Sequence, residues 1–445
     1  MHKIEKLAII VSHPIQYYSP VFQLLAKKIK LKVFYTAGNR ASKTFDTGFK
    51  REIQWDIPLL TGYDYQFLEN TAKDKGTHHF TGIINPNMEK EINDYAPTKI
   101  LIFGWAYQSN LKLIRYYYTR VPIYFRGDST LLDQQNSIKR WVRNIFLKWV
   151  YRHIDFAFYV GEANKAYFKK VGLKDQQLIL APHAIDNERF AEDRSIESRL
   201  LRDKLGITHN EILILFAGKL EPKKNPELLL DAFINLDLKN THLLFVGNGV
   251  LEEGLKEKVE GLVEKVSFDY AHEDKPEGKL DDNRGSLELG VGFFDSAQND
   301  KPVGTQDDKL GKSTGDGLKR RIHFMDFQNQ TAMPVVYQAC DLFCLPSQGP
   351  GETWGLAVNE AMAAGKAVLV SDKVGCSIDL VKTGVNGAVF KSGDLADLKQ
   401  KLSTLTENKD KIAKIGNLSQ QIIKDWSFEK QVAVIVDTIK NKHAK

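Results

Sequence analysis

Residues 349–372 read GPGETWGLAVNEAMAAGKAVLVSD, and this stretch gives the clearest indication of the fold. A glycine-rich turn opens a helical segment, LAVNEAMAA, and the short apolar run AVLV follows it. Apolar runs of this kind, when they alternate with helices, are typical of strands in a parallel sheet that is covered on both faces. The stretch therefore predicts a loop, a helix and a buried strand of an α/β domain.

The same alternation extends outward over the whole chain. In the second half, the strand candidates are EILILFAG, HLLFVG, IHFMDF, LFCLPS and KAVLVSD; in the first half they are LAIIVS, LKVFYT, KILIFG, VPIYFRG, FAFYVG and LILAP. We expect two facing, doubly wound Rossmann-like domains over 1–195 and 196–425, and a helix within 426–445 that crosses back to the first. Ligands of such sheets bind at the carboxyl ends of the strands, so the cleft between the domains should hold the site.

Composition narrows the class of protein. The 445 residues are 42% hydrophobic and 27% charged, which excludes a disordered or collagen-like chain. The apolar runs are far shorter than the roughly 20 residues of a spanning helix, and the start lacks the pattern of a secretory signal. Three cysteines are too few for a disulfide framework. We expect a cytoplasmic protein, and its net charge of +6 suggests an anionic partner.

Basic residues are concentrated in residues 110–152, which contain nine lysines and arginines but only two acidic residues. Within 137–152, Ile138, Trp141, Ile145 and Trp149 recur at helical spacing. Two interpretations stay open. The segment is either a core-packing helix with a solvated basic back, or an amphipathic helix that lies on an anionic membrane surface. The second would place the protein peripherally on the inner membrane face.

Residues 271–318 interrupt the alternation with a polar, glycine-rich sequence that has no lasting periodicity. We expect an insertion on the surface, which a domain tolerates because a long loop adds little closure entropy. A substrate lid is the functional alternative.

Two acidic residues lie eight positions apart within residues 349–372. Glu360 falls on the predicted helix, where a carboxylate can accept two hydrogen bonds from a ribose diol. Glu352 lies in the preceding loop and can hold hydroxyls of a transferred sugar. The glycines around them let the backbone approach a ligand and leave N–H groups free to bind an anion. The alternative is a solvated helix residue and an N-terminal cap.

Two further loops follow strands. The first, FAGKLEPKKNP, places Gly218, Lys219 and Lys224 before a helix, where cations can bind a diphosphate, although a merely solvated loop is the alternative. It is not a Walker loop. The second, FVGNG, turns at Gly247 and Gly249, and alone it is weak evidence for more than a helix start.

Taken in order, GKLEPKKN, VGNG and the Glu-x7-Glu of GETWGLAVNEAMAAG resemble retaining glycosyltransferases of the family 4 type, which have the GT-B fold. The resemblance covers most of 205–395 outside the insertion, and more weakly SHPIQYYSPVFQLLA and LAPHAIDNERF. It implies that Lys219 and Lys224 hold the donor diphosphate, that Glu360 binds the ribose, and that Glu352 lies beside the sugar. It places the backbone of Thr353, Trp354 and Gly355 against sugar and phosphate. Recognition of the base is expected near Phe327 and Gly249.

The first half departs from the family. Its first loop reads SHPIQ, where the family often has glycines, and His13 can contact the acceptor or the donor phosphate unless it is structural. The segment YFRGDS replaces a His-Asp pair, so Arg126 and Asp128 are candidates for the acceptor side, or else form an ion pair or turn. His183 replaces the usual asparagine.

The resemblance implies sugar transfer from a nucleotide sugar to a glycan or lipid-linked acceptor, with retention, in cell-surface polysaccharide biosynthesis. We expect no metal and no cofactor, because lysines neutralise the leaving phosphate and no HxH, DxD or Cys/His cluster stands out. No nucleic-acid partner is expected. Two alternatives stay open: a non-catalytic nucleotide-sugar-binding protein, or another enzyme of this scaffold such as an epimerase or a phosphorylase.

Overall fold

The computed structural model describes residues 5–39, 44–46, 51–132, 138–270 and 314–441. In the first half, central strands form where apolar residues, several of them β-branched, run without interruption, as in the LAIIV of KLAIIV and the ILIF of KILIF. The helices and strands of this half are β1 Lys6–Val11, α1 Ser19–Ala26, β2 Lys30–Tyr35, β3 Thr44–Asp46, β4 Arg51–Ile53, β5 Asp64–Phe67, α2 Met88–Tyr95, β6 Lys99–Phe103, α3 Gln108–Tyr117, β7 Ile123–Arg126, α4 Ile138–Tyr151, β8 Phe156–Tyr159, α5 Glu162–Lys170, β9 Leu178–Leu180 and α6 Asn187–Ala191.

Seven of these strands form one sheet in the order β5-β2-β1-β6-β7-β8-β9, and β3 pairs with β4 in a separate antiparallel pair. All pairings in the large sheet are parallel, with Leu7 of β1 opposite Leu31 of β2 and Lys99 of β6. The strand order reverses at β1, so the crevice at the carboxyl ends of β1 and β6 is where a doubly wound sheet binds its ligands.

The second half repeats this plan with longer helices. Its elements are α7 Ser195–Lys204, β10 Ile212–Ala217, α8 Pro226–Leu236, β11 Thr241–Val246, α9 Glu252–Tyr270, α10 Thr314–Lys319, β12 Ile322–Met325, α11 Met333–Ala339, β13 Leu342–Leu345, α12 Leu356–Ala363, β14 Ala367–Ser371, α13 Ser377–Leu380, β15 Gly387–Phe390, α14 Leu395–Thr406, α15 Lys409–Ile423 and α16 Phe428–Asn441.

The second sheet is parallel and has the order β12-β11-β10-β13-β14-β15. Every residue of β10 and β11 is buried, as expected for central strands covered on both faces. The order reverses between β10 and β13, so the loops after these two strands border the crevice. The predicted α/β class with two facing doubly wound units is confirmed.

Helix α16 packs in the core of the first half. Its Phe428, Val432, Ile435 and Ile439 share an apolar cluster with residues of β1, α1 and β2. In the other direction, Ile185 and Phe190 pack in the core of the second half, which therefore reaches back before residue 195. The two halves thus exchange short segments at both ends of the second half.

The predicted insertion lies mostly outside the described residues, because 271–313 are not described. Residues 314–318 begin helix α10, so the expectation of an irregular segment is wrong for this part. No helix in the described ranges is both long enough and apolar enough to cross a bilayer.

Candidate functional site

The loops after β10 and β11 lie side by side, because the two strands are neighbours in the sheet. Leu220 joins them: its N–H donates to the carbonyl of Asn248 at 3.0 Å, and its carbonyl accepts from the N–H of Leu251 at 3.0 Å. A Cβ on Gly249 would lie 2.3 Å from the Leu220 oxygen, so only glycine fits there. The predicted lysine loop and the predicted GxG turn therefore form one surface.

The loop after β13 adjoins the same surface. The N–H of Gln348 donates to the carbonyl of Lys223 at 2.9 Å. Beside this contact, the Nζ of Lys224 forms an ion pair with the Oε2 of Glu352, and the Ser347 hydroxyl donates to that oxygen at 3.0 Å. The side chains of Lys224 and Glu352 are 16% and 8% exposed. Two residues singled out from separate motifs thus contact each other at the carboxyl end of the sheet.

Gly355 sets the direction of helix α12. Its φ is 94°, in the left-handed region, and a Cβ there would lie 2.7 Å from Cγ1 of Val374. In the described chain no side chain caps this helix start, so the first N–H groups of α12 face the loop that holds Thr353 and Trp354. The Trp354 indole donates to Asn359 at 2.9 Å and is buried. A helix start of this kind is suited to an anion.

Glu360 lies on α12 and is only 4% exposed. Its Oε2 accepts from the Tyr337 hydroxyl at 2.8 Å, and its Oε1 accepts from the Tyr17 hydroxyl at 3.0 Å. Burial raises the pKa of Glu360, while the hydrogen bonds from Tyr337 and Tyr17 and the charge of Arg189 act in the opposite direction. The alternative that Glu360 is a solvated helix residue is wrong. Sequence reasoning missed both tyrosines, although Tyr17 lies in the segment SHPIQYYSP that carried the resemblance.

The two halves meet directly across the cleft. The hydroxyl of Thr353 donates to Asp128 at 2.7 Å, which puts this first-half acid against the donor-side loop. The amide of Asn359 donates to the carbonyl of His183 at 3.0 Å. At the end of the interface, the N–H of Glu162 donates to both carboxylate oxygens of Asp379, at 3.1 and 3.2 Å.

His13 follows β1 at the crevice of the first sheet. Its Nδ1 lies 2.9 Å from the Ser12 hydroxyl, and burial lowers its pKa, so the ring is neutral near pH 7. A neutral imidazole can accept or donate a hydrogen bond at its other nitrogen. The position agrees with an active-site loop, and the contact with acceptor or phosphate stays a prediction.

Arg126 is placed differently from the sequence expectation. It is 1% exposed, and its guanidinium donates to the backbone carbonyls of Ala181 at 2.8 Å and Pro182 at 3.3 Å. Burial lowers its pKa, and the neighbouring Tyr18 and Asp128 partly oppose this. Arg126 therefore supports the chain before His183 and does not reach an acceptor, which corrects the expectation.

Phe327 follows β12 at the far end of the same surface. Its N–H donates to the Asn248 side chain at 2.9 Å, and the amide of Asn248 donates to Asp326 at 3.0 Å. From the first half, Trp55 contacts the Phe327 ring edge-to-face, with centroids 6.2 Å apart. This corner lies where the base of a nucleotide was expected.

A cluster that the sequence did not suggest lies on the loop after β5. Ligand atoms of Asp74, His78 and His79 fall within 4.8 Å of one another, and His79 lies 3.2 Å from Asp74. The three residues lie within six positions of one another, so the sequence analysis, which found no such cluster, overlooked it. That the protein requires no metal stays a prediction.

Helix α4 packs one face inward and presents another apolar face to solvent. Leu147, Val150 and Tyr151 are buried, whereas Trp141 is 67% and Ile145 is 51% exposed. Of the stripe that the sequence identified, Trp141 and Ile145 are therefore exposed and Trp149 is half-buried. The core-packing interpretation is right for the helix, through Leu147, Val150 and Tyr151, and wrong for Trp141 and Ile145. The exposed neighbours of Trp141 and Ile145 include Val142, Phe146, Arg143 and Lys148.

The carboxy-terminal half matches a family model over residues 197–276 and 303–422, and the model is described as "Glycosyl transferases group 1". The second half of the chain therefore contains a region similar to this family, and the matched residues make up a little under half of the chain. The resemblance inferred from the sequence is thereby confirmed for this half. Residues 277–302, which the chain has between the two matched parts, fall inside the predicted insertion.

Curated relatives carry more detailed names. The chain is 24% identical over 249 residues to D-inositol 3-phosphate glycosyltransferase of Nocardia farcinica, and the match covers 55% of this chain and 43% of that protein. The chain is also 22% identical over 318 residues to UDP-Gal:alpha-D-GlcNAc-diphosphoundecaprenol alpha-1,3-galactosyltransferase of Escherichia coli. This match covers 70% of this chain and 66% of that protein. The chain thus spans between two fifths and two thirds of the length of these relatives.

A solved structure supports the architecture. The chain resembles Anabaena HepE, solved in complex with UDP, with a TM-score of 0.66 and 18% identity over 99% of this chain and 100% of that one. At this identity the likeness concerns the fold alone. It confirms the GT-B arrangement expected from the sequence.

Proposed function

We propose that this protein transfers a sugar from a nucleotide-sugar donor to a glycan or lipid-linked acceptor, with retention of configuration, in the synthesis of a cell-surface polysaccharide. One observation carries the proposal. Lys224 and Glu352, which come from separate motifs, form an ion pair beside the loops after β10 and β13, and Glu360 on the following helix α12 is hydrogen-bonded to Tyr17 of the first half. The names of the Escherichia coli relative and of the HepE complex agree with a uridine-linked donor and a lipid-linked acceptor.

In this proposal the second half binds the donor. Lys219 and Lys224, with the first N–H groups of α12, neutralise the diphosphate. Glu360 accepts from the ribose hydroxyls, Glu352 lies beside the sugar, and the corner at Phe327 receives the base. Because Lys224 is paired with Glu352 in this structure, an incoming diphosphate would share or replace that pairing.

The reaction breaks the bond between the anomeric carbon and the diphosphate oxygen and forms one from that carbon to the acceptor oxygen. Both bonding electrons leave with the diphosphate, and the proton of the acceptor hydroxyl passes to it. Charge grows on the leaving phosphate, so fixed cations lower the barrier. One such donor is worth about 3 kcal/mol, or about a hundredfold in rate. We propose that these cations act without a metal ion, and that His13 and Asp128 approach the acceptor from the first half.

The test is a thermal-shift and calorimetric panel of UDP-, GDP- and ADP-sugars. A ligand at 100 times its dissociation constant should add about 2.7 kcal/mol of stability. Glu360→Ala should abolish the shift, whereas Glu257→Ala, which removes an exposed acid of α9, should leave it unchanged. Equal binding by wild type and Glu360→Ala would contradict the donor site. Release of nucleoside diphosphate then separates a transferase from a protein that only binds.

We further propose that the exposed apolar face of α4 rests on an anionic membrane surface, where a lipid-linked acceptor would be met. Aromatic residues flanked by arginine and lysine are the side chains that bind such interfaces. Trp141→Ser with Ile145→Ser should reduce co-sedimentation with vesicles that contain anionic phospholipid. Ile196→Ser with Leu200→Ser is the matched control, because these two residues of α7 are 71% and 55% exposed. Equal loss in both pairs would refute a specific role for α4.

A further inference from the structure

Tyr17 reaches from the first half into the second. It lies between β1 and α1, yet its ring packs against the apolar core of the second half. Its hydroxyl donates a hydrogen bond to Oε1 of Glu360, at 3.0 Å. Tyr18, one residue later, packs instead on Phe103 of its own half, with ring centroids 4.8 Å apart.

The two hydrogen bonds to the Glu360 carboxylate differ in kind. Tyr337 is fully buried within the second half, and its bond to Oε2 does not depend on how the halves are arranged. The bond from Tyr17 to Oε1 crosses the cleft, so it exists only while the halves are closed. With Glu360 4% exposed, nothing can reach Oε1 until Tyr17 withdraws.

We propose that Tyr17 is a reversible cover of the ribose-binding carboxylate, which donates to Oε1 of Glu360 in place of a ribose hydroxyl and must be displaced by the donor. This inference rests on the proposed function, because it takes Glu360 as the ribose acid. A phenol and a ribose hydroxyl are both neutral O–H donors, so one can replace the other without a change of charge. A buried carboxylate that lacks a hydrogen bond to one oxygen destabilises the closed state. Tyr17 supplies that hydrogen bond to Oε1 of Glu360.

The cover competes with the donor. When only a fraction of the molecules is open for binding, the apparent dissociation constant is the intrinsic one divided by that fraction. Tyr17→Phe keeps the ring but removes the hydrogen bond to a charged group. This lowers the population of molecules in which Tyr17 covers Glu360. We expect Tyr17→Phe to bind nucleoside diphosphate about tenfold more tightly, since such a bond is worth about one factor of ten.

The experiment is isothermal titration of UDP, with GDP and ADP in parallel, into wild type and three matched tyrosine variants. Tyr17→Phe should tighten binding. Tyr337→Phe should weaken it, because it frees the carboxylate that must be held in place, and Tyr18→Phe should leave the affinity unchanged. Tyr17→Ala, which removes the whole side chain, should also bind more tightly than wild type, and it serves as the test if Tyr17→Phe is poorly folded.

The outcomes separate this inference from the proposed function. If wild type binds a nucleoside diphosphate and Glu360→Ala does not, but Tyr17→Phe and Tyr17→Ala bind as wild type or more weakly, the cover is refuted and the donor site stands. If neither wild type nor the Tyr17 variants bind any of the three nucleotides, the proposed function fails and the inference fails with it.

Discussion

Replacing Lys224 by methionine should lower both the stability and the activity of the protein. Replacing Glu352 by glutamine as well should restore the stability but not the activity. The side chains of Lys224 and Glu352 are 16% and 8% exposed, so the pair is close to a buried ion pair. Removing one partner of such a pair costs about 3–5 kcal/mol, because the other charge is left without compensation. Ser347 still donates to Glu352 in Lys224→Met, which favours the lower end, about 3 kcal/mol.

A loss of about 3 kcal/mol should lower the melting temperature by roughly 6–12 °C for a domain of this size. Scanning calorimetry measures it. Lys224→Met with Glu352→Gln leaves no uncompensated charge and should recover most of the loss. Lys223→Met is the matched control. Its partner is Glu221 at 3.3 Å, its side chain is 40% exposed, and a pair of this kind is worth less than about 1 kcal/mol.

Activity should not follow stability. Release of nucleoside diphosphate should fall about a hundredfold in Lys224→Met and should stay low in the double variant, since the diphosphate still lacks its cation. Lys223→Met should retain most of the rate. The reasoning is refuted if Lys224→Met melts with wild type, or if the double variant regains activity together with stability.

Three further outcomes are expected. Gly355→Ala should lower the free energy of unfolding by about 1–3 kcal/mol more than Gly365→Ala, as measured by denaturant melts. Both glycines have a positive φ, but only at Gly355 would a Cβ lie 2.7 Å from Val374. Equal losses in the two variants would contradict this. Burial raises the pKa of Asp379 to about 6. The folded state therefore holds its proton up to a higher pH than the unfolded chain, and the stability of wild type relative to Asp379→Asn should fall as pH rises from about 4 to 6. Because the carboxyl is partly exposed, solvent screening keeps this loss well below the roughly 3 kcal/mol that the full pKa difference would give. A rise in relative stability over this range would contradict the prediction. Donor hydrolysis should survive dialysis against EDTA, and its loss, restored by a divalent ion, would overturn the proposal of metal-independent action.

The central strands were predictable because burial on both faces leaves a continuous apolar run. KLAIIV and ILILFA are such runs, and both were identified. Of the four edge strands, β9 and β12 were identified from the apolar runs in LILAP and IHFMDF, whereas β5 and β15 were not, since DYQF carries polar residues and GAVF begins with glycine. An edge strand pairs with a neighbour on one side only, so its composition is less constrained, and it is recognised only where it happens to be apolar.

The candidate site divides in the same way. Lys224, Glu352 and Glu360 could be found because each lies in a loop or helix start whose glycines are visible in the sequence. Contacts across the cleft could not, because Tyr17 and Glu360 are 343 residues apart and no local pattern links them. Arg126 was misplaced for a related reason: a strand end predicts proximity to the crevice but not whether the side chain points into it or back to the chain at Ala181.

The place of α16 bears on how the chain folds during synthesis. Phe428, Val432, Ile435 and Ile439 complete the apolar layer beside α1, yet the ribosome makes them after the whole second half. The first half therefore emerges with part of that layer uncovered, and more than two hundred further residues are made before α16. Domains made first usually fold first. Here the unit that is made first is completed last, and until then it exposes an apolar surface of the kind that makes folding intermediates prone to aggregation.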